Sequence, residues 1–329
     1  MMIWFQRILV ITTILTLCVV VFGSYVRLTD AGLGCPDWPG CYGTLTVPQS
    51  EEAISQALQH FPDSMVETDK AWVEMIHRYI AGILGLLILF IAVKSYKLRD
   101  EIKITLKLPF FILALVCFQA ILGMWTVTKL LQPAIVTTHL IGGMTILGLM
   151  TFMTHRQLGT QINNDSINRH TMTIARLSLF VLFIQILLGG WTSTNYAALA
   201  CTDYPTCHGS LIPDMNFKDG FSIFRELGMT SGGEELSLQA LHAIQWVHRM
   251  GAIVLTALVL YLFYLLRNFP GLGFYRNLLL FLISVQFVVG IANLLLHLPI
   301  ALATIHNLGA ALLVIILVVI NSRLTPQYD

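Results

Sequence analysis

The sequence predicts an all-α integral membrane protein in which eight transmembrane helices form two parallel four-helix-bundle repeats. Three observations support this fold class. First, 56% of the 329 residues are hydrophobic and only 11% are charged, whereas average globular domains carry about 25% charged residues. Second, the chain contains eight apolar stretches of roughly the 20 residues that a helix needs to cross a bilayer. Third, several motifs of the first half recur in the same order in the second half.

Each of the eight apolar stretches is interpreted as one transmembrane helix. The first stretch runs directly into GSYVRLT at 23–29, with no small-residue cleavage site, and it has a counterpart later in the chain. It is therefore interpreted as a retained helix and not as a signal peptide. The predicted spans are 7–27, 71–93, 108–128, 134–153, 173–193, 239–266, 275–296 and 300–321.

The distribution of basic residues predicts the orientation of the chain. If the N-terminus lies inside, the inner segments hold twelve Lys and Arg residues and the outer segments hold five. Because positive residues accumulate on the cytoplasmic side of membrane proteins, both termini are expected to be cytoplasmic. The long segments at 28–70 and 194–238 then face outward. The chain has no basic patch, so no nucleic-acid partner is expected.

The internal repeat involves both loops and helices. The loop sequence GLGCPDWPGCYGTL at 32–45 corresponds to ALACTDYPTCHGSL at 198–211. The helix sequence EMIHRYIAGI at 74–83 corresponds to QWVHRMGAIV at 245–254. Further along, Gln119-x-x-x-Gly123 corresponds to Gln286-x-x-x-Gly290, and His139 corresponds to His306. Four helices return the chain to the side on which it started, so the two halves are expected to be parallel repeats related by an axis along the membrane normal.

The repeat also predicts the domain boundaries. Residues 1–153 form the N-terminal four-helix half, and residues 173–329 form the C-terminal half. Residues 154–172, which include QINNDSINRH, are expected to be a polar cytoplasmic linker.

Four of the six cysteines lie in the two outer loops, as two CxxxxxC pairs. Because the outer side of the membrane is oxidising, we expect the disulfides Cys35–Cys41 and Cys201–Cys207. The alternative is a zinc site, but only His208 adjoins either pair, and the two pairs would have to meet. The other two cysteines lie in predicted spans, where a free cysteine behaves as a small apolar residue.

Four histidines occupy equivalent positions: His77, His139, His248 and His306 each lie about five to ten residues inside the outer end of an even-numbered span. At 1.5 Å rise per residue, all four have similar depth in the outer leaflet. The alternative role is packing or hydrogen bonding, yet ionisable groups in membranes are costly and usually functional. Two histidines that face each other across a bundle suit bis-imidazole ligation of a haem iron, whereas zinc or copper would need further inward ligands.

An arginine directly follows two of these histidines. We interpret Arg78 and Arg249 as pocket residues that pair with haem propionates. The alternative is that both side chains extend to the lipid headgroups. The remaining histidines are interpreted as non-ligands: His60, His155, His170, His208, His242 and His297.

The two halves differ at one acidic position, Glu74, where the second half has Gln245. Positions i and i+3 share a helix face, so Glu74 is expected to point toward the same cavity as His77. A charged side chain at the centre of a membrane helix costs about 2.5–3.5 kcal/mol. The acid is therefore interpreted as a group that transfers protons or stabilises charge. The alternative is an interfacial carboxylate paired with Arg78 or Lys70.

These features together resemble the heme A synthase family, in the bacterial branch that has cysteine pairs in both outer loops. The resemblance covers essentially the whole chain and includes the eight spans, the histidine of each even-numbered span, ExxHR in the first half, and the loop cysteines. It implies an oxidoreductase acting on a CH group, which oxidises the C8 methyl group of haem O to a formyl group and yields haem A for terminal oxidases. It also implies a bacterial plasma-membrane location.

The resemblance assigns roles to individual residues. It implies that His77 and His139 flank the substrate haem O in the first half, with Glu74 as the essential acid. It implies that His248 and His306 ligate a resident haem b in the second half.

The resemblance also bears on the loop cysteines and on partners. It associates Cys35 and Cys41 with activity, which a purely structural disulfide would not. The implied partners are haem O and haem A, the lipid bilayer, a haem O synthase and an unidentified electron donor.

Two other functions are alternatives for a membrane protein with this repeat. A di-haem b-type electron-transfer cytochrome would keep both haems permanently. A transporter built from parallel repeats would place its substrate site near the membrane midplane with broken helices, whereas the polar residues of this chain lie toward the outer face.

Overall fold

The computed structural model describes residues 2–159 and 168–325, and that part of the chain is entirely helical apart from loops and isolated bridges. Two short 3₁₀ turns, Ala197–Leu199 and Pro270–Leu272, accompany the α-helices. The α-helices are α1 Met2–Leu28, α2 Glu51–His60, α3 Thr68–Lys97, α4 Lys107–Thr128, α5 Pro133–Leu158, α6 Arg169–Thr194, α7 Phe217–Gly220, α8 Leu238–Leu266, α9 Gly273–Leu295 and α10 Ile300–Leu324.

Eight of these helices are long and apolar enough to cross a membrane, and they coincide with the eight predicted spans. The all-helical membrane fold is therefore confirmed. Several helices continue a few residues beyond their apolar stretch. The predicted linker 154–172 is shortened from both sides, since α5 ends at Leu158 and α6 begins at Arg169. Residues 160–167 of that linker lie outside the described part of the chain.

The membrane helices pack as two closed rings of four. In the first half α1 contacts α3 and α5, and α4 also contacts α3 and α5. In the second half α6, α8, α9 and α10 repeat these contacts in the same order. The halves meet through α5 against α10, α1 against α10, and α5 against α6. Each contact thus has a counterpart in the other half, which is compatible with the predicted repeat.

The centre of the molecule lies where α5 and α10 pack together. Leu147 of α5 and Val314 and Leu317 of α10 are fully buried there. A Cβ atom at Gly148 would lie 3.5 Å from Val314, so the two helices pack closely at this point. Large apolar side chains on the outside of the bundle, such as Leu86 and Phe281, remain exposed, as expected for a surface covered by lipid.

Each disulfide loop is closed by the same turn. Asp37 accepts hydrogen bonds from the backbone N–H groups of Tyr42 and Gly43, at 2.6 and 2.9 Å. In the second loop Asp203 accepts from the N–H groups of residues 208 and 209, at 2.7 and 3.0 Å. Hydrogen bonds from the Thr206 hydroxyl, the residue 209 N–H and the residue 208 N–H hold the pKa of Asp203 well below its usual range. This shared local geometry positions both cysteine pairs above the helices that carry the functional residues.

Candidate functional site

One cavity of about 1410 Å³ brings together the residues singled out by the sequence. Its volume exceeds the roughly 300–1,000 Å³ of an ordinary small-molecule pocket. It extends through both halves of the protein. Among the residues lining it are Glu74, His77, Arg78, His139, Gln245, His248, Arg249 and His306.

The four histidines lie on opposite corners of the two helix rings. His77 is on α3 and His139 is on α5, and α1 and α4 separate these two helices. His248 on α8 and His306 on α10 have the same relationship in the second ring. Each ring therefore presents one imidazole from each of two diagonally opposite helices to the cavity.

Each imidazole packs against a glycine of the preceding membrane helix. A Cβ atom at Gly23 would lie 2.9 Å from the His77 ring, and one at Gly123 would lie 3.5 Å from the His139 ring. The corresponding distances are 3.1 Å from Gly189 to His248 and 3.2 Å from Gly290 to His306. Glycine is therefore needed most strictly next to His77, where a methyl group would displace the ring.

The ring nitrogens suit ligation of a flat macrocycle. All four imidazoles are half-buried, and Nδ1 of His77, His139 and His306 is buried without a hydrogen-bond partner among the described residues. All four rings line the apolar cavity, and two imidazoles that face such a cavity from opposite helices are the donor set of a bis-imidazole haem. The residues present therefore fit a haem in each ring.

A glutamine secures the histidine backbone in the second half. Gln286 Nε2 donates to the backbone oxygen of His306 at 3.0 Å. Gln185 Nε2 donates to the backbone oxygen of His248 at 3.0 Å and lies equally close to its Nδ1. We call each such contact a glutamine clasp.

The first half lacks these clasps. Gln119 is in the equivalent place near His139, but its buried Nε2 has no partner among the described residues. Next to His77 the equivalent residue is Val19, four positions before Gly23. Sequence reasoning noted Gln119 and Gln286 only as markers of the repeat.

A signal for the buried glutamine, with or without its clasp, is visible in the sequence. A glycine three residues after the histidine makes room for the glutamine amide, which a Cβ atom there would overlap. These glycines are Gly142, Gly251 and Gly309. After His77, where no glutamine is present, the same position is Ile80.

Glu74 lies in the cavity wall, and both of its carboxylate oxygens have partners. The residue is only 4% exposed, and Oε2 accepts a hydrogen bond from the backbone N–H of Cys35 at 3.0 Å. Oε1 pairs with the guanidinium of Arg78. Lys70, considered as another partner, instead pairs with Glu67 at 2.9 Å.

The neutral residue at the same position of the second half makes the same loop contact. Gln245 Oε1 accepts from the backbone N–H of Cys201 at 2.5 Å, and its Nε2 donates to Ala198 O at 2.5 Å. Holding the disulfide loop therefore requires an oxygen at this position but not a charge. The charge of Glu74 is the feature that only the first half has.

The two arginines hold the disulfide loops in place. Arg78 donates to the backbone oxygens of Asp37 at 3.0 Å and of Gly40. Arg249 donates to Thr206 O at 2.8 Å and Cys201 O at 2.9 Å. Both side chains also line the cavity, and their contact with haem propionates stays a prediction.

Arg27 is a cavity residue that sequence reasoning missed, because it was considered only as an outer-side charge. It lines the cavity near the end of α1. Its guanidinium donates to Asp30 at 3.0 Å and to Ser193 O at 2.8 Å, and it lies 4.3 Å from the centre of the Tyr196 ring. Arg27 therefore connects α1 to the end of α6 at the outer edge of the cavity.

Both predicted disulfides are confirmed. The S–S distance is 2.04 Å in Cys35–Cys41 and 2.01 Å in Cys201–Cys207. Each pair closes within its own loop, so the two pairs do not meet. One buried histidine that the sequence did not connect with a cysteine pair, His242, lies beside the second disulfide.

Comparisons with known proteins agree over almost the whole chain. Residues 6–318 match the COX15-CtaA family, described as cytochrome oxidase assembly protein. A heme A synthase of Shewanella oneidensis is 46% identical over 319 residues, which are 97% of this chain and 95% of the relative. Heme A synthases of Agrobacterium fabrum and Neorickettsia sennetsu are 28% and 27% identical, over 91% and 93% of this chain and 84% and 94% of the relatives. The matched range 6–318 spans both disulfide loops and all four histidines of this chain.

Proposed function

The chain belongs to the COX15-CtaA family of cytochrome oxidase assembly proteins, and from that premise we propose that it is a heme A synthase. The proposed reaction oxidises the C8 methyl group of haem O to a formyl group. The observation that carries the proposal is the difference between two otherwise matched sites. Both rings offer two imidazoles and a loop-holding residue to one cavity, but only the first adds a carboxylate, Glu74.

We assign the substrate to the first ring and a resident haem b to the second. The glutamine clasps support this division, since both histidines of the second half are held by them, whereas the position that would hold His77 is Val19. A cofactor that stays bound benefits from ligands whose positions are fixed by hydrogen bonds from neighbouring residues. A substrate that must enter and leave benefits from ligands that can adjust.

In the proposed reaction the methyl group undergoes two successive two-electron oxidations. The first converts it to a hydroxymethyl group and the second to a hydrated aldehyde, which loses water to give the formyl group. Each oxidation removes two electrons and two protons and adds one oxygen atom from water. Haem b, when bound in the second ring, would supply one-electron redox chemistry, and an external electron acceptor would take up the four electrons that the two oxidations release.

Residues of the chain bind the substrate and handle the protons. His77 and His139 hold the substrate iron between α3 and α5. Glu74 receives a proton at the reacting edge, because its carboxylate lines the cavity three residues before His77 on the same helix. The Arg78 guanidinium offsets the charge of this carboxylate in its buried position.

The proposed function also includes an orientation in the membrane and two partners. The chain is a multi-pass membrane protein, and we propose cytoplasmic termini with both disulfide loops on the outer side. In this orientation the reactive end of the cavity opens toward the outer leaflet. A haem O synthase that delivers the substrate through the bilayer and an electron carrier are the proposed partners.

Expression in cells that make haem O but not haem A tests the reaction directly. We expect wild-type protein to produce a haem A peak on chromatography of the extracted pigments. Extracts containing only haem b, at two per chain, would contradict the proposal and favour a di-haem electron-transfer cytochrome.

A further inference from the structure

We propose that the second outer loop is a redox-gated metal site, in which Cys201, Cys207 and His242 bind a thiophilic d¹⁰ cation, Zn²⁺ or Cu⁺, once the disulfide has been reduced. The site lies outside the haem cavity and does not depend on the proposed function. The first outer loop has no equivalent of it.

The three side chains already form a compact donor set. One ligand atom from each lies within 4.8 Å of the others. Ligands bound to tetrahedral zinc at about 2.0–2.3 Å lie about 3.3–3.8 Å from one another. Reduction of the S–S bond lets the two sulfurs separate toward that spacing without movement of α8. Cysteine thiolates and imidazole are also the ligand types that select Zn²⁺ and Cu⁺.

His242 has a buried ring nitrogen that is available to bind a metal ion. The residue is 7% exposed, and its Nε2 is buried with no hydrogen-bond partner in the described part of the chain. Its other nitrogen, Nδ1, lies 3.3 Å from the backbone oxygen of Asp214. A carbonyl at this distance favours the proton on Nδ1, which leaves the lone pair of Nε2 free for a cation.

A fourth ligand position opens toward the outer solution. The exposed ring of His208 lies 5.1 Å from the His242 ring, measured between centroids. Its Nε2 contacts the backbone oxygen of Ala200 at 2.9 Å. Either His208, after a small rotation, or a water molecule completes the tetrahedron, and the cation reaches the buried donors from this side.

The first loop provides an internal comparison. Its disulfide has the same spacing and the same aspartate-bound turn. The residue corresponding to His242 is Ala71, and the residue corresponding to His208 is Tyr42. The imidazoles are therefore not needed to fold a loop of this type, and their presence in the second half requires another reason.

The chemistry requires a dithiol reductant. Thiol–disulfide exchange converts the disulfide to two thiols while the dithiol is oxidised to a disulfide. Binding of the cation then displaces one proton from each thiol, so two protons are released per metal bound. The bound cation keeps both sulfurs from reoxidation. Its occupancy is also transmitted to the cavity wall, because Gln245 and Arg249 bind the backbone of Cys201.

Metal binding by the full-length protein in detergent tests the proposal. The protein is reduced with a phosphine, which takes up oxygen from water and does not compete for metal, and is then titrated with Zn²⁺. We expect one zinc per chain in reduced protein and none in oxidised protein, counted by elemental analysis after gel filtration. Co²⁺ in place of zinc should give a thiolate-to-cobalt charge-transfer band.

Matched variants locate the site. Cys201→Ser/Cys207→Ser should abolish zinc binding, while Cys35→Ser/Cys41→Ser should retain it. His242→Ala should weaken binding about 100-fold or more, since loss of a residue that only hydrogen-bonds to a metal ligand already costs about 10–100-fold. His242→Cys should restore binding with an altered cobalt spectrum, and haem absorbance confirms that each variant is folded.

Three results would overturn the proposal. Reduced wild-type protein that binds no more zinc than oxidised protein excludes the site. His242 is excluded as a ligand if folded His242→Ala binds zinc with unchanged affinity, or if His242→Cys does not recover zinc binding. If Cys35→Ser/Cys41→Ser loses zinc and Cys201→Ser/Cys207→Ser retains it, the metal is bound by the first loop and not by the second.

Discussion

The side chain of Glu74 accepts a hydrogen bond from the backbone N–H of Cys35 at 3.0 Å. The proposed acid and the first disulfide are therefore one structural unit, in which the cysteine loop positions one carboxylate oxygen and Arg78 binds the other. A change in the outer cysteine loop would therefore shift a carboxylate that lines the cavity inside the membrane. Because Gln245 makes the same contact in the second half without a charge, the role of the acid can be tested separately from the position of the loop.

Replacing Glu74 by Gln should stop catalysis without unfolding the site. The amide keeps an oxygen for the Cys35 N–H, as Gln245 does for Cys201, but it carries no charge and does not accept a proton. We expect the purified variant to bind haem O and produce no haem A, measured by chromatography of extracted haem. Conversion of haem O to haem A at the wild-type rate would rule out Glu74 as the essential acid. The matched variant Gln245→Glu should convert haem O normally.

Removing the first disulfide should reduce activity more than removing the second. A disulfide that closes a loop this short stabilises it by about 2 kcal/mol, and the first loop directly positions Glu74. We expect Cys35→Ser/Cys41→Ser to lower the ratio of haem A to haem O and to leave haem b content unchanged. Cys201→Ser/Cys207→Ser is the control, and an equal fall in that variant would contradict the specific link to Glu74.

Gly23→Ala should impair the first site, and Gly123→Ala should be tolerated. The added methyl group would lie 2.9 Å from the His77 ring in the first case and 3.5 Å from the His139 ring in the second. Overpacking of this kind typically costs about 1–3 kcal/mol, here as displacement of the imidazole. Haem O binding, followed by the absorbance of bound haem, should weaken only in Gly23→Ala. The prediction fails if the two variants bind haem O equally.

Gln286→Leu should weaken the resident haem, while Gln119→Leu should have little effect. Gln286 donates to His306 O at 3.0 Å, and losing such a bond costs about 1 kcal/mol. The Gln119 amide nitrogen has no partner to lose among the described residues. Haem b per chain and the midpoint potential of the second site provide the measurement. Loss of haem b in Gln119→Leu alone would contradict the division between the two halves.

The proposed orientation predicts which loops a membrane-impermeant thiol reagent reaches. Glu234 lies exposed in the second outer loop, and Asp100 lies exposed between α3 and α4. In spheroplasts we expect labelling of Glu234→Cys but not of Asp100→Cys. Labelling of both after the membrane is permeabilised shows that each cysteine is reactive. The reverse pattern would invert the proposed topology.

The sequence predicted the spans and the disulfides well because both depend on short-range information. Twenty consecutive apolar residues favour a membrane helix wherever they occur in the chain. Two cysteines six residues apart, in a loop on the oxidising side, need only a local turn to pair. The depths of the four histidines follow from the same helix register.

The clasps and ion pairs were harder to predict from the sequence, because they depend on which helices become neighbours. Gln286 and His306 are twenty residues apart along the chain, on adjacent helices. Arg78 was interpreted as a haem residue, and the structure shows that it also binds the first loop and Glu74. The direction of the second carboxylate oxygen toward Cys35 follows from where that loop packs onto α3.

The sequence by itself determined the eight-helix membrane fold, the cysteine pairing and the set of four histidines with one acid, because hydrophobic length, loop spacing and helical register are properties of contiguous residues. Only the tertiary structure decided that the acid is tied to a disulfide loop, that glutamines secure the histidines of one half, and that His242 lies against Cys201–Cys207. Those relationships arise when helices and loops distant in sequence pack together, and their atoms are then brought within bonding distance.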